Sequence, residues 1–235
     1  MSKAELLKRA PKAITHLRAQ RNRRRLGLIF GSGASSDLGF PKWQKLVQLI
    51  ASHADVQATD LLTQLMPVDR AAAPVRSLAS ITQILFNRFR HRQITSKGLA
   101  SPLTFLQEQQ IKTEWLKIIH SNLYSGIDAK TRSNTIKKHK YLTAFLELIK
   151  TLPLTVNYNF DDTLEKMLLD ARKGDESNST RGYEVVDRPA VQFQKDSGVI
   201  YHPNGFLPFV FEDGASSDVV FSDNSFQDEL INAAT

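Results

Sequence analysis

The sequence predicts an α/β fold, and three observations carry that prediction. A short apolar run, Leu26–Phe30, feeds a glycine-rich stretch over 31–43 (GSGASSDLGFPKW), after which Trp43, Leu46, Val47 and Ile50 fall at helical spacing. A buried strand, a glycine turn and a helix are how a βαβ unit begins. A second apolar run, Pro153–Val156, leads into NYNFDD (157–162) and a helix with Leu164, Met167, Leu168 and Leu169. Between the two, residues 55–150 show helical periodicity with hardly a strand signal, too much chain for one crossover helix. The expected architecture is a Rossmann-like parallel sheet with an inserted, mostly helical subdomain. Residues 26–54 and 151–235 form its core, 55–150 the insertion and 1–25 a basic helical arm.

Composition agrees with a globular chain of this kind. The 235 residues are 41% hydrophobic and 23% charged, enough for one α/β domain with a real core. No apolar run approaches the roughly 18–20 residues of a membrane span, and the basic N-terminus lacks the apolar stretch of a signal peptide. The absence of cysteine excludes disulfides, thiolate nucleophiles and Cys-ligated metals. The expectation is a cytoplasmic protein that does not engage membranes.

The net charge of +7 is unevenly spread. Residues 1–25 hold nine Lys/Arg against one acid, and residues 26–155 sixteen against eight. Residues 156–235 hold six against fifteen. That is a basic arm and a basic middle followed by an acidic third, unlike a uniform nucleic-acid coat.

Taken in order, Leu6, Leu7, Ala10, Ile14 and Leu17 predict a helix over 3–22, kinked or divided at Pro11. The run Arg21–Arg25, broken by Asn22, reads as a solvated helix end or a contact patch. In the insertion, one helix is marked by Leu61, Leu62, Leu65 and Met66, and another by Leu78, Ile81, Ile84, Leu85 and Phe89. Leu103–His120 and Tyr141–Ile149 supply two more. After a polar loop at 173–181, short β segments are expected at Tyr183–Val186, Val199–His202, Phe209–Phe211 and Val219–Phe221.

Three motifs could carry chemistry. Gly31 and Gly33 follow a strand directly, where missing Cβ atoms let a ligand approach the backbone and a helix N-terminus suits a phosphate. The spacing is neither G-x-G-x-x-G, since Ser36 and Gly39 break it, nor a Walker A loop. An ordinary glycine-rich turn is the competing reading. Asn157 stands beyond the second strand, where parallel sheets bind ligands, and offers both a donor and an acceptor. Asp161 and Asp162 fall in the first turn of the next helix, where capping alone favours acids. Finally, a strand delivers His202, a natural general base, to a Pro203-Asn204-Gly205 turn. The other five histidines lack metal-ligand spacing, so no metal is expected.

In order, these motifs resemble the sirtuin-like NAD-consuming domain, in the zinc-free branch found in bacterial antiphage defence. The resemblance rests on Gly31-Ser32-Gly33-Ala34-Ser35, Gly39-Phe40-Pro41-Lys42-Trp43, Thr155-Val156-Asn157-Tyr158-Asn159 and Tyr201-His202-Pro203-Asn204-Gly205-Phe206-Leu207-Pro208, with Val220-Phe221-Ser222 as a further segment. It implies an NAD+ hydrolase that cleaves the nicotinamide–ribose bond, with NAD as substrate. Residues 31–35 would hold the diphosphate, with Asp37, Pro41, Tyr158, Asp161, Asn204 and Gly205 completing the nucleotide site. Phe40 and Trp43 would wall the nicotinamide. Asn157 would hold the ribose or the attacking water, His202 would take a proton, and Asp161 or Asp162 would orient Asn157 or Tyr158. The implied partners are a second copy or a defence protein such as an ATPase or nucleic-acid-handling subunit.

The chain departs from that family in four places. Asn159 replaces an Asp, and Asn204 occupies the position of the catalytic histidine, with His202 two residues earlier. The four-cysteine zinc module of deacetylating relatives is missing, which favours NAD cleavage over deacetylation. A downstream Gly-Ser/Thr-Leu segment is also missing from 222–235, which predicts a fragment or a site finished by another chain. Two alternatives stand beside hydrolysis: a catalytically degenerate module binding NAD or ADP-ribose, and a nucleic-acid-binding module using residues 1–25.

Overall fold

The computed structural model describes residues 10–65, 77–173, 182–187, 197–211 and 219–222. The described strands form one sheet in the order β1 (Gly27–Phe30), β2 (Leu154–Asn157), β4 (Gly198–Tyr201), β3 (Tyr183–Val186), and every neighbouring pair is parallel. The register sets Phe30 beside Asn157, and Val156 and Val186 beside Tyr201. All four strands therefore end at the same edge, and the loops after β1, β2 and β4 leave from there.

The helices are α1 (Pro11–Asn22), the single turn α2 (Gly33–Ser36), α3 (Trp43–Ser52), α4 (Thr59–Leu65), α5 (Leu78–Ser96), α6 (Phe105–Leu123), α7 (Arg132–Lys138), α8 (Lys140–Ile149) and α9 (Thr163–Lys173). Local chemistry fixes several of their ends. Ser77 caps α5 by accepting from the Ser80 N–H at 3.0 Å. Thr104 and Gln107 form a reciprocal capping box at α6. Helix α3 buries Leu46, Val47, Ile50 and Ala51, a stripe at helical spacing that packs on α4, α5 and α6. Phe89 of α5, fully buried, meets the Trp115 ring of α6 at 5.5 Å. From Phe30 and Ile200 in the sheet through α9 to α3, α5 and α6, the buried side chains form one contiguous cluster.

The described helix α1 opens at Pro11, where a missing N–H costs nothing. The arginine run ends that helix. Arg24 takes a left-handed φ of 54°, while Arg25 N–H donates to Gln20 O and Arg24 N–H to Arg21 O, a Schellman closure without glycine. Strand β1 is not buried, because it lies at the sheet edge; Phe30 is 5% exposed but Ile29 is 75% exposed. Phe209–Phe211 and Val219–Phe221 are irregular rather than strands. Phe209 packs edge-on to Tyr124 at 5.2 Å and Phe211 lies 5.0 Å from His120, so this apolar run packs as a loop. Met66 and residues 3–9 lie outside the described residues.

Candidate functional site

The three sequence motifs meet at the edge where β1, β2 and β4 end. The first loop exposes Gly31 and Ser32 ahead of the one-turn α2, whose first residue, Gly33, is also exposed. The long helix begins at Trp43, where the sequence pattern put it, so the one-turn α2 and not a long-helix N-terminus follows the glycines directly. A Cβ built at Gly31 or Gly33 would meet nothing within 4 Å, and neither residue has a left-handed φ. The fold itself does not require glycine at either place. Gly39 differs: its φ of +94° demands glycine, and its Cβ direction points at Ile127 across the seam with the helical layer. Asp37 is exposed and Pro41 half-buried. Phe40 is buried edge-on to Tyr124 at 5.5 Å, and Trp43 stacks on Phe221 at 5.6 Å.

The second loop is bonded to the first. Tyr158 N–H donates to Phe30 O at 2.9 Å, extending the β1–β2 ladder, while its ring is 48% exposed. Asn159 Nδ2 donates to Gly31 O at 3.0 Å and to Ser35 Oγ at 3.2 Å. That explains the departure at this position: a carboxylate could not donate to the Gly31 carbonyl. Asn157 is 1% exposed, one layer down, with its Oδ1 accepting from the Asn159 N–H at 3.1 Å.

The third loop closes on the second. Asn204 Nδ2 donates to Tyr158 O at 3.1 Å, and Asn204 O accepts from the Val220 N–H at 2.8 Å. Gly205, at φ +91°, makes the turn, and Leu207 N–H donates to Phe160 O at 2.8 Å.

His202 does not face this edge as an open base. It is fully buried, with Nδ1 2.9 Å from Asn159 O and Nε2 2.8 Å from Glu165 Oε1. A carbonyl only accepts, so Nδ1 carries a hydrogen, and Nε2 shares a proton with the carboxylate. Neither nitrogen keeps a free lone pair for a nucleophile's proton. Burial pulls the His202 pKa down, but the Glu165 carboxylate and the Asn159 carbonyl outweigh it and the net shift is upward. Burial raises Glu165, with His202 opposing, and raises Asp161, with Thr163 and Ser35 opposing. His202 is thus the post on which Asn159 and the loops around it stand.

Asp161 and Asp162 precede α9 rather than lying in its first turn. Asp161 is buried and accepts from the Thr163 N–H at 3.0 Å. Asp162 turns to the helical layer instead of Asn157 or Tyr158. Its two oxygens take Nη1 and Nη2 of buried Arg132, whose guanidinium also lies over the Tyr124 and Phe209 rings. The Tyr124 hydroxyl sits 2.9 Å from Asp162 Oδ1 and 2.8 Å from Leu207 O. His120 Nε2 donates toward Pro208 O at 3.0 Å, and the Tyr141 hydroxyl donates to Ala34 O at 3.3 Å. Helices α6, α7 and α8 therefore hold all three loops from one side.

Sequence reasoning missed Tyr124, Arg132, Tyr141 and the role of Glu165. Only Glu165 left a signal: it stands three residues before Leu168, on the apolar side of α9, where an ionisable group needs a partner. Among the described residues, no group of three or more His, Asp or Glu is placed to hold a metal, and no helix is long and apolar enough to cross a membrane. No protein-family model matches this chain, and no curated protein matches it.

Proposed function

We propose that this chain binds NAD+ at the common end of β1, β2 and β4 and cleaves its nicotinamide–ribose bond, as the effector domain of a bacterial antiviral defence system. The scaffold is read as a Rossmann-like core whose inserted helical subdomain clamps the site loops. The observation that carries the reading is Gly31 and Gly33: they face open space with ordinary φ, so glycine there serves something other than the chain's own packing. That space lies beside Asn159, Ser35 and the Asn157 layer.

In this reading the 31–35 backbone with the Ser32 hydroxyl takes the diphosphate, while the buried Ser35 hydroxyl braces Asn159. Asn157 and Asn204 hold the ribose and orient the attacking water, with Asn157 reached once the Gly31–Ser32 loop yields. His202 and Glu165 position Asn159 instead of moving a proton, and the water's proton leaves to solvent. Forgoing a positioned base lowers the rate by about 10²–10⁴-fold. Incubation with NAD+ and chromatographic separation of nicotinamide and ADP-ribose tests the reading. Turnover that Asn157→Ala abolishes supports it; Asn157→Ala turning over as fast as the parent chain refutes the site.

A second reading, binding of NAD or ADP-ribose without turnover, is favoured by one observation. The only histidine among these motifs is buried with both nitrogens engaged, and Asn204 stands where the family it resembles carries its base. Calorimetric binding of NAD+ with no nicotinamide released, alone or with its partners, selects this reading.

A further inference from the structure

A cleft of about 100 Å³ opens at the seam between the Gly39–Phe40 turn and the Gly126–Ile136 stretch. Its walls are Leu38, Phe40 and Ile136, each buried, and its polar lining includes Asp128, Thr135 and Arg132. The volume lies below the range of drug-sized sites, about 300–1,000 Å³, so only a ligand of about one small ring fits. Arg132 is unusual among these residues. Its side chain is 6% exposed, both terminal nitrogens are committed to Asp162, and Nε is buried with no hydrogen-bond partner. A buried donor without an acceptor is a standing cost that a ligand oxygen can remove.

The remaining chemistry narrows what fits. The guanidinium is already neutralised by Asp162, and Asp128 stands exposed at the rim, its carboxylate held ionised by the Lys130 N–H and the Thr131 hydroxyl. An anion would meet that carboxylate and gain no free cation. The apolar walls call for a flat ring, Nε for a carbonyl oxygen and the Asp128 carboxylate for a ligand N–H. We propose that this cleft, which Phe40 lines in place of the nicotinamide wall expected of it, is a small-molecule site for a neutral, flat cyclic amide, separate from the edge formed by Gly31, Asn157 and Asn204. Such a ligand would rest on the same arginine that clamps Asp162, so it would stiffen the hold of the helical layer on the second loop.

The test is titration of the full ¹⁵N-labelled chain with 2-pyridone, benzoate and toluene, followed by amide shifts. Saturable shifts at Leu38, Phe40, Ile127 and Ile136 are expected with 2-pyridone, with benzoate and toluene each about tenfold weaker or more. Thr135→Leu narrows the cleft, and its lost hydroxyl bonds only within its own helix. It should keep the parent's unfolding midpoint and weaken 2-pyridone about tenfold. No saturable shifts at the cleft, benzoate binding as tightly, or Thr135→Leu binding unchanged would each overturn the proposal. Saturating NAD+ should leave the 2-pyridone shifts in place. Displacement by NAD+ would make the cleft part of the nucleotide site and end the claim of a separate one. Failure of NAD+ to bind at all would count against the function proposed above and not against this site.

Discussion

Removing the Asp162 carboxylate should be among the most damaging single changes in the chain, and the structure says how damaging. Arg132 and Asp162 are 6% and 16% exposed, and two parallel N–H···O contacts join them. Burial works against the Arg132 charge and Asp162 offsets it, with a net upward shift. Once Asp162 is gone the guanidinium still cannot escape by losing its proton, because arginine is too basic to do so. Asp162→Ala therefore strands a buried cation, which costs about 3–5 kcal/mol. For a chain of this length that corresponds to a fall in Tm of about 6–20 °C. Arg132→Met with Asp162→Ala removes both charges and leaves an apolar stem against Tyr124 and Phe209, so the double variant should lose only about 1–2 kcal/mol. Urea unfolding followed by circular dichroism measures the double variant and both singles, and because Asp162→Ala alone costs more than the double, the coupling should be at least about 1 kcal/mol. An Asp162→Ala cost below about 1 kcal/mol, or a double variant that loses the sum of the singles, would refute the buried clamp.

Other expectations concern the same layers. Because His202, Glu165 and Asp161 all have raised pKa values, the native state holds protons that the unfolded chain releases. Stability is then full below the unfolded carboxylate range and falls as pH rises through the folded values, by at most about 1.4 kcal/mol per pH unit per proton. Urea midpoints measured from about pH 5 to 9 should decline, and Glu165→Gln should flatten that slope; a rising profile contradicts the assignment. Gly39→Ala, forced to φ +94°, should lose about 1–3 kcal/mol, whereas Gly33→Ala should hold or gain stability and still weaken NAD+ binding in calorimetry. Replacing Arg18 and Arg21 by Gln on α1, none of whose side chains is buried, should shift stability by no more than about 0.5 kcal/mol each. If residues 1–25 contact nucleic acid, the same variant should reduce the salt dependence of that binding in fluorescence titrations.

The parallel strands were legible because each was a short apolar run closed by turn chemistry, and the first two sit within a residue of where the pattern put them. The pattern could not say that β1 lies at an edge, since Leu28 and Ile29 are as apolar as residues that end up covered. Phe209–Phe211 read as a strand for the same reason: period and composition do not distinguish pairing with a neighbour strand from packing against Tyr124 and His120. The convergence of Gly31, Asn157 and Asn204 followed from the expectation of a parallel sheet, because loops after parallel strands leave from one edge. The fate of His202 was not. Its neighbour Glu165 is thirty-seven residues away in the chain, and only the tertiary packing of α9 brings the carboxylate to Nε2. Tyr124 and Arg132 gave no sign for the same reason, as their partners lie across the seam between the helical layer and the sheet loops.

What occupies the edge formed by Gly31–Ser35, Asn157–Asn159 and Asn204 decides whether this chain handles NAD+. A crystal structure of the full chain grown with NAD+ reads that directly. It should show the diphosphate against the 31–35 backbone, the nicotinamide ribose beside Asn157 and Asn204, and His202 still bonded to Glu165 and Asn159. A nucleotide bound elsewhere, an edge that stays empty at saturating NAD+, or a His202 ring swung out to the ribose would contradict it.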